Sequence, residues 1–288
     1  MEGFKLLKRL SLITLILCFS TSAFAKRWGL AKKYEILPMD QSHEVIGQAD
    51  EGELNANSIK VLVWNLYKGD KKTWARDFKK LSEGQDILLL QEGYLNNRMV
   101  SVFEQMPKFQ FDMGVSFIYK KDHNTRTGSL IGSSVKPSEV YFTRTKDYEP
   151  FIKTPKTTTY AYYPVEGSNK ELLVINIHGI NLANHKSFVN HVDQAVELIE
   201  KHDGPIVFGG DFNTRTKKRT RHLKRTMKAL GMNEVGFRND KRMRALKVGQ
   251  VLDHVFIKGL LVRDADVKKD IKGSDHKAMV LDLVVDNK

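Results

Sequence analysis

The sequence predicts a fold of mixed β-strands with interspersed helices, in the α/β or α+β class. Three observations predict it. Short apolar runs of strand length recur along the chain, and several stretches between them have the three-to-four-residue spacing of an amphipathic helix. A hydrophobic fraction of 41% over 288 residues is enough to bury a sizeable core. The pattern alone leaves the topology open.

The predicted elements follow a polar lead-in in chain order. Residues 26–57 are mixed and polar and are expected to form an N-terminal arm or loose lead-in, before a single domain over residues 58–288. Strands are predicted over residues 59–64, 87–90, 109–113, 115–119, 129–133, 157–164, 172–177, 206–208, 251–257 and 278–285. Helices are predicted over residues 74–81, 96–106 and 189–199, and around the basic run at 215–228.

The first 25 residues have the pattern of a cleaved signal peptide. A basic start precedes the apolar run 10–19, and Ala23-Phe24-Ala25 supplies a small-x-small cleavage site. That run is shorter than the roughly 20 residues that span a bilayer, which disfavours a retained membrane anchor. Lipid attachment at Cys18 is disfavoured because the bulky Leu17 precedes it. We therefore expect a periplasmic or secreted protein with no stable membrane insertion after cleavage.

Composition limits the function of the exported chain. Removing residues 1–25 leaves 44 Lys and Arg against 33 Asp and Glu, a net charge of +11. It also removes the only cysteine, which excludes thiol catalysis, cysteine–zinc sites and redox roles. A charged fraction of 28% fits a soluble globular protein and excludes a disordered, collagen-like or polytopic membrane chain.

Polar residues capable of chemistry stand where the predicted strands end. They are Asn65, Glu92, His178, Asp211, Asn213, Asp253, Asp275 and His276. Each terminates or interrupts an apolar run, where a side chain can leave the core and converge on a common rim. Carboxylate and amide oxygens suit Mg²⁺, Mn²⁺ or Ca²⁺, and histidine beside such a metal suits proton transfer near neutral pH. Taken singly, each residue is more often a turn, cap or surface residue, and only the joint pattern carries weight.

In this order the blocks resemble the endonuclease/exonuclease/phosphatase superfamily, which includes deoxyribonuclease I. The matching blocks are VLVWNLY (61–67), DILLLQE (86–92), LVINIHGIN (173–181), IVFGGDFNT (206–214), VLDHVFI (251–257) and GSDHKAMVLDL (273–283). The resemblance implies a four-layer α/β-β/α sandwich, in which two mixed sheets pack face to face with helices outside each. It also implies a metal-dependent phosphodiesterase or phosphatase site across the sheet edges.

The resemblance further implies roles for single residues. Glu92 would be the principal metal carboxylate, Asn65 an adjacent ligand, and Asp275 a residue near the metal. Two residues of the Gly-Asp-Phe-Asn block, Asp211 and Asn213, would orient the attacking water and hold the phosphate.

Two histidines complete the implied set. His276 would act as base or phosphate clamp, oriented by Asp253, and His178 would stabilise the phosphate or protonate the leaving oxygen. The exonuclease III branch has an aspartate where this chain has Tyr67 and a tyrosine where it has His178, which disfavours an abasic-site repair role.

A basic run follows the Gly-Asp-Phe-Asn block. Its eight cations are Arg215, Lys217, Lys218, Arg219, Arg221, Lys224, Arg225 and Lys228. On a helix, Leu223, Met227 and Leu230 would face inward, with Arg221, Lys224, Arg225 and Lys228 on the opposite face. A second basic group follows at Arg238, Lys241, Arg242, Arg244 and Lys247. These residues are either a phosphate-tracking surface for nucleic acid or a solvated basic face.

The sequence thus predicts an exported, monomeric phosphodiesterase dependent on Mg²⁺, or on Mn²⁺ or Ca²⁺, with DNA or RNA as substrate. Seven cations are predicted to bind that substrate, namely Arg215, Lys217, Lys218, Arg221, Lys224, Arg225 and Lys228. A lipid-headgroup phosphodiesterase and an inositol-phosphate phosphatase are the alternatives, although no obvious apolar hairpin for membrane insertion appears. A non-catalytic binder of anionic polymers fits less well, because the set of site residues is nearly complete.

Overall fold

A computed structural model describes residues 33–49, 52–246 and 249–286. The predicted signal peptide at residues 1–25 lies outside these ranges. Within them, no helix is both long and apolar enough to cross a membrane.

Fourteen strands and four α-helices are found in the described ranges. The strands are β1 (Tyr34–Glu35), β2 (His43–Gly47), β3 (Ile59–Asn65), β4 (Ile87–Tyr94), β5 (Gln110–Tyr119), β6 (Thr125–Ser133), β7 (Glu139–Arg144), β8 (Thr157–Tyr163), β9 (Leu172–His178), β10 (Ile206–Asp211), β11 (Asn233–Glu234), β12 (Asp253–Lys258), β13 (Leu260–Lys268) and β14 (Ala278–Val285). The helices are α1 (Trp74–Ser82), α2 (Asn97–Glu104), α3 (His185–Lys201) and α4 (Lys217–Ala229).

The strands form two mixed sheets. The first has eight strands in the order β1-β5-β6-β4-β3-β14-β13, with β2 also paired to β5, and the second has six in the order β11-β12-β10-β9-β8-β7. Each sheet contains one central parallel pair, β3 with β4 and β9 with β10. Because parallel strands end at the same edge, each pair delivers its last residues to one rim.

The core between the sheets is built from alternate residues of the central strands. Val61 and Val63 of β3 and Leu89 of β4 face Val174 of β9 and Val207 of β10, and all are buried. Side chains alternate across a strand, so the intervening residues point to the outer face of their sheet. Because both sets of alternate residues are largely apolar, each central strand can be buried on both faces.

The outer face of each sheet is covered by helices. Trp64 of β3 packs with Trp74 and Phe78 of α1, and their rings stack. On the second sheet, Phe188 of α3 and Leu223 of α4 close a separate core. The four-layer α/β-β/α sandwich expected from the sequence is confirmed.

The N-terminal arm differs from the expected loose lead-in. Both β1 and β2 pair antiparallel with β5, so the described part of residues 26–57 contributes to the first sheet. The two strands expected over residues 109–119 are one strand, β5, interrupted by an irregularity between Val115 and Phe117. The strands β7 and β13 were not anticipated, because both are edge strands with largely exposed or half-buried residues and no continuous apolar run.

Candidate active site

The two parallel pairs bring the predicted site residues to one rim. In the first sheet, Asn65 at the end of β3 lies opposite Gln91 of β4. In the second sheet, Asp211 at the end of β10 lies opposite both His178 of β9 and Asp253 of β12. The strand register therefore places these residues side by side before any side chain is considered.

Two glycines explain how β10 fits between its neighbours. A Cβ on Gly209 would lie 3.0 Å from Leu89 Cδ1 of the opposite sheet, so the sheets approach closely here. Gly210 has a φ of +141°, and a Cβ there would lie 2.1 Å from the Ile177 carbonyl oxygen. Gly210 therefore has to be glycine, whereas a side chain at Gly209 would require Leu89 to shift.

Asp211 is the centre of the site. Its Oδ2 lies 3.2 Å from the side-chain nitrogens of both Asn65 and Asn213, which donate hydrogen bonds to it. The same oxygen lies 3.9 Å from Nε2 of His178 and 3.9 Å from Nε2 of His276. Burial raises the pKa of the Asp211 carboxyl, against the positive charge of His276.

On one side of Asp211, Asp253 and His276 form a buried pair. Both carboxylate oxygens of Asp253 lie 2.9 Å from His276 Nδ1, and Trp64 Nε1 donates to the His276 carbonyl at 3.1 Å. Burial lowers the pKa of His276, but the charges on Asp253 and Asp211 outweigh it and raise that pKa to about 10. His276 is therefore positively charged at neutral pH.

On the other side, His178 lies between a lysine and the site carboxylates. Its Nε2 is 3.1 Å from Lys156 Nζ and 3.8 Å from Glu92 Oε1. Burial, with the charges of Lys156 and His276 adding to it, lowers the pKa of His178 well below its ordinary 6.5. His178 is therefore neutral at neutral pH, where His276 is charged.

The backbone is strained at two of these residues. Glu92 has a φ of +54° and Asn213 a φ of +53°, in the left-handed region that residues other than glycine rarely adopt. The Asn213 turn is supported by hydrogen bonds from its amide to Asp211 Oδ1 at 2.9 Å and from its side chain to the Gly179 carbonyl at 3.0 Å. Such strain persists where the surroundings fix it, typically at functional sites.

A buried amide pair beneath the site connects the two sheets. Gln91 of the first sheet donates to Asn176 Oδ1 of the second at 2.6 Å. Asn176 in turn donates to the carbonyls of Leu90 and Leu130 in the first sheet, at 2.9 and 2.7 Å. Removing any member would leave buried polar groups unpaired, so this contact fixes the spacing of the sheets under Asp211.

The donor set fits a divalent cation. Asn65 Nδ2 lies 3.5 Å from Glu92 Oε1 and 3.2 Å from Asp211 Oδ2, so two carboxylates flank one neutral amide. Asp211, Asp253 and His276 are buried with side-chain N and O atoms within 4.8 Å of one another, and because both nitrogens of a charged His276 are donors, the two carboxylates are the ligands that this group offers. The charges of Asp253 and Glu92 add to burial in raising the pKa of Asp211, which indicates negative charge that a cation would offset.

Asp275 is the least integrated of the predicted residues. Its side chain is exposed, and its carboxylate accepts a hydrogen bond from Ser274 Oγ at 3.3 Å. Ser274 itself donates to the Asn65 carbonyl at 2.6 Å and accepts from the His276 amide at 3.1 Å. Within the Ser-Asp-His block, Ser274 and His276 make the contacts with the other site residues, and the side chain of Asp275 is exposed to solvent.

The helix expected from the basic run is α4, with Leu223 and Met227 buried as predicted. Arg219 is buried rather than free, because its guanidinium donates to carbonyls that include those of Ile180 and Asn213, at 3.0 Å each. Lys224 is paired with Glu234 at 2.7 Å. In the described part of the chain, no carboxylate lies within ion-pair distance of Arg215, Lys217, Lys218, Arg221, Arg225 or Lys228.

Most of the second basic group is neutralised. Arg238 pairs with Asp264 at 2.7 Å, and Arg242 and Arg244 pair with Asp240 at 2.9 and 3.8 Å. Lys247 lies outside the described residues. This group therefore contributes structure more than free positive charge.

Two lysines of the site were not anticipated. Lys156 precedes β8, and Lys68 lies in the turn after β3; both line a cavity of about 210 Å³ together with Glu92 and His178. The Lys68 position three residues after Asn65 was a local signal, whereas nothing in the sequence pairs Lys156 with His178.

A rim of carboxylates, amides and histidines across two packed sheets points to a phosphoesterase of the two-sheet sandwich class. The chain belongs to the Endonuclease/Exonuclease/phosphatase family, whose model matches residues 62–276. Members of this family are phosphoesterases, such as nucleases and phosphatases, and generally depend on divalent metals.

Known relatives agree with that assignment. A UPF0294 protein of Vibrio vulnificus is 30% identical over 244 residues, covering 82% of this chain and 78% of the relative. A structure from Beutenbergia cavernae, an endonuclease/exonuclease/phosphatase, has a TM-score of 0.62 at 15% identity, covering 80% and 72% of the two chains. The mannosyl-6-phosphatase of Bacteroides thetaiotaomicron has a TM-score of 0.59 at 17% identity, covering 79% and 100%. At these identities the structural likeness concerns the fold.

Proposed function

We propose that this protein is an exported, Mg²⁺-type metal-dependent phosphodiesterase that hydrolyses nucleic acid. The choice of nucleic acid as substrate rests on the unpaired cations that begin two residues after Asn213. Lys217 and Lys218 stand in the first turn of α4, which holds no acidic residue. The helix macrodipole disfavours cations at this end, and a bound phosphate chain would offset the cost.

Each residue around Asp211 is assigned a different role in phosphodiester hydrolysis. When bound, a divalent cation supplies positive charge for the phosphate in the transition state. Asp211, whose pKa is raised, orients the attacking water and accepts its proton. His276, held in its charged form by Asp253, binds a phosphate oxygen. Neutral His178 contributes a hydrogen bond on the opposite side.

The charge states favour one of the two roles expected for His276. A histidine with a pKa of about 10 is a poor proton acceptor at neutral pH and a good phosphate clamp. The proton of the attacking water therefore goes to Asp211 in this proposal.

The salt dependence of DNA binding tests the proposal. Replacing Lys217, Lys218, Arg221 and Arg225 by Gln removes four unpaired cations and leaves the Lys224–Glu234 pair intact. Each phosphate contact contributes roughly 0.9 to the slope of log affinity against log salt on duplex DNA, so the slope should flatten by up to about 3–4 units. Binding should weaken similarly for unrelated sequences, since phosphate contacts carry no sequence information.

A matched control uses the neutralised group. Replacing Arg238, Lys241 and Arg244 by Gln removes three cations, two of which pair with carboxylates, and should change the slope far less. Equal slopes for both variants, or no Mg²⁺- or Mn²⁺-dependent hydrolysis of plasmid DNA or RNA by the purified protein, would reject the nuclease proposal.

A second candidate, a lipid-headgroup phosphodiesterase, is favoured by one feature. Tyr148, Phe151, Ile152 and Leu182 form an exposed apolar group, with Phe151 82% exposed. Glu149 accepts hydrogen bonds from the Asn181 and Leu182 amides at 2.6 and 3.0 Å, which joins the two loops that carry the group. Ile152 also lines the cavity beside His178, so the group borders the site.

Vesicle binding distinguishes the candidates. If the apolar group enters a bilayer, Phe151→Ser should abolish sedimentation with vesicles of phosphatidylcholine and phosphatidylglycerol, and sphingomyelin or another phospholipid should be hydrolysed. The control Leu261→Ser removes a 52% exposed side chain at the opposite end of the strands. Equal sedimentation of both variants with the native protein, or none by any of them, would reject the lipid candidate.

A further inference from the structure

The cavity beside His178 extends the site away from Asp211. Its volume of about 210 Å³ is below the roughly 300–1,000 Å³ of pockets that enclose a whole drug-sized ligand. It therefore suits one chemical group of a larger substrate. Glu92 and His178 line its side towards the site, while Lys68, Lys156 and Tyr119 form other parts of its wall.

An unusual turn presents Lys68 to this cavity. Three consecutive residues, Tyr67, Lys68 and Gly69, have φ values of 49°, 54° and 72°. Two of the three are not glycine, so the turn is held in a conformation that side chains disfavour. Arg98 braces it by donating to the Gly69 carbonyl at 2.9 Å, and Asn65 Oδ1 accepts the Tyr67 amide at 3.0 Å.

The ammonium group of Lys68 has a hydroxyl group as its hydrogen-bond partner. Lys68 Nζ lies 3.0 Å from the Tyr119 hydroxyl oxygen and 5.4 Å from the centre of its ring. Lys156 Nζ likewise contacts a ring nitrogen, His178 Nε2, at 3.1 Å. In the described ranges, neither lysine has a carboxylate within ion-pair distance, although both are only half exposed.

Two half-buried cations share this concavity with one carboxylate, Glu92, which is also assigned to the proposed metal, and a bound anion would offset the remaining positive charge. We propose that this cavity binds a second phosphate group of the substrate, next to the phosphoester that is hydrolysed, with Lys68 and Lys156 as its cationic ligands. The inference rests on the proposed function, because it assigns the second phosphate to the same substrate. That phosphate is either a neighbouring diester of a polymer or a terminal monoester.

Short nucleotides that differ by one phosphate test the inference. The dinucleoside monophosphate TpT carries one phosphate, whereas pTpT and TpTp carry a second at either end. A charge-assisted contact is worth about tenfold or more in affinity, so one of the two should have a kcat/KM at least about tenfold above that of TpT. In Lys68→Met this ratio should fall towards one, whatever the absolute rate, and in Lys68→Arg it should be largely kept.

The control Lys72→Met removes the same charge four residues away from an exposed position outside the cavity. It should keep the wild-type ratio. Thermal melting of Lys68→Met and Lys68→Arg checks that both variants fold. A ratio near one in the wild type, or an equal fall in Lys72→Met, would overturn the inference.

Capping the second phosphate with a methyl group identifies its source. If the methyl ester keeps the advantage, the cavity accepts an internal diester; if only the free monoester has it, the cavity reads a terminal phosphate. Titration with inorganic phosphate separates the two failures. If no phosphodiester is hydrolysed, the proposed function fails, while phosphate binding that is about tenfold weaker in Lys68→Met than in Lys72→Met still supports the subsite.

Discussion

The two sides of Asp211 each hold a histidine, and the two histidines differ in charge. His276 and His178 both lie 3.9 Å from Asp211 Oδ2, one from the first sheet and one from the second. A carboxylate holds His276 and raises its pKa, whereas burial and Lys156 lower the pKa of His178. Burial and the other groups that contact each ring, rather than the distance to the shared carboxylate, therefore set the charge of each histidine.

The largest effect is expected when the acid on the His178 side loses its charge. Glu92→Gln keeps the shape and the strained backbone but removes the carboxylate that flanks Asn65 and His178. We expect loss of measurable phosphodiester hydrolysis with an unchanged melting temperature, and an equal loss for the native protein in excess EDTA.

The exposed Glu139 offers a control for that substitution. Glu139→Gln should retain full activity. Full activity of Glu92→Gln, or activity of the native protein undiminished by EDTA, would contradict a metal site at Glu92.

The next effect concerns the Asp253–His276 pair. His276→Asn and Asp253→Asn should each lower kcat by about 10²-fold or more, the usual scale for a group that handles charge or protons in the transition state. Because Asp253 acts through His276, the double variant should lose little more than the worse single variant. Losses that multiply in a double-mutant cycle would show that the two residues act separately.

A smaller effect should appear in the pH profile of the His178 side. The pKa of His178 is lowered below 6.5, so the native protein keeps this histidine neutral, and active, down to pH values well below 6.5. Lys156→Met removes one cause of the lowering, so the pKa should rise and the acid limb of kcat/KM should move towards pH 6.5. The exposed Lys146 provides the control Lys146→Met, which should leave the limb in place.

The smallest effect is expected for Ser274, whose hydroxyl group holds the backbone next to His276. Ser274 Oγ links the Asn65 carbonyl to the His276 amide, and Ser274→Ala removes both contacts with little change in volume. We expect a loss of about 1 kcal/mol in unfolding free energy and a few-fold loss in kcat. The more exposed Ser138→Ala, whose contact with the Tyr162 carbonyl is a long 3.4 Å, should be nearly neutral in both measurements.

The sequence predicts the central strands and the rim well because both depend on local pattern. Alternating apolar residues mark β3, and the continuous apolar runs mark β4 and β10. A polar residue at the end of such a run must leave the core, so Asn65, Glu92 and Asp211 could be found without coordinates. The topology came from the resemblance, since no period in the sequence fixes which strands are neighbours.

What the sequence left out depends on contacts between distant segments. Asn176 lies inside an apolar strand, and only its hydrogen bonds to Gln91 and to two carbonyls of the opposite sheet explain it. Tyr148 and Phe151 are close in the chain, but Leu182 joins them only through the contact with Glu149. Ion pairing also depends on the folded structure. A count of basic residues does not distinguish the paired Arg242 from the unpaired Arg221.

The close approach of the sheets at Gly209 has a consequence for the kinetics. Asn65 and Glu92 belong to one sheet and His178 and Asp211 to the other, so their separation is the gap between two stacked layers. A misplacement of about 1 Å in a reacting group can cost on the order of 10²-fold in rate. The thickness of the layer between the sheets therefore fixes the separation of the site residues, and core residues that never contact the substrate control the rate through that separation.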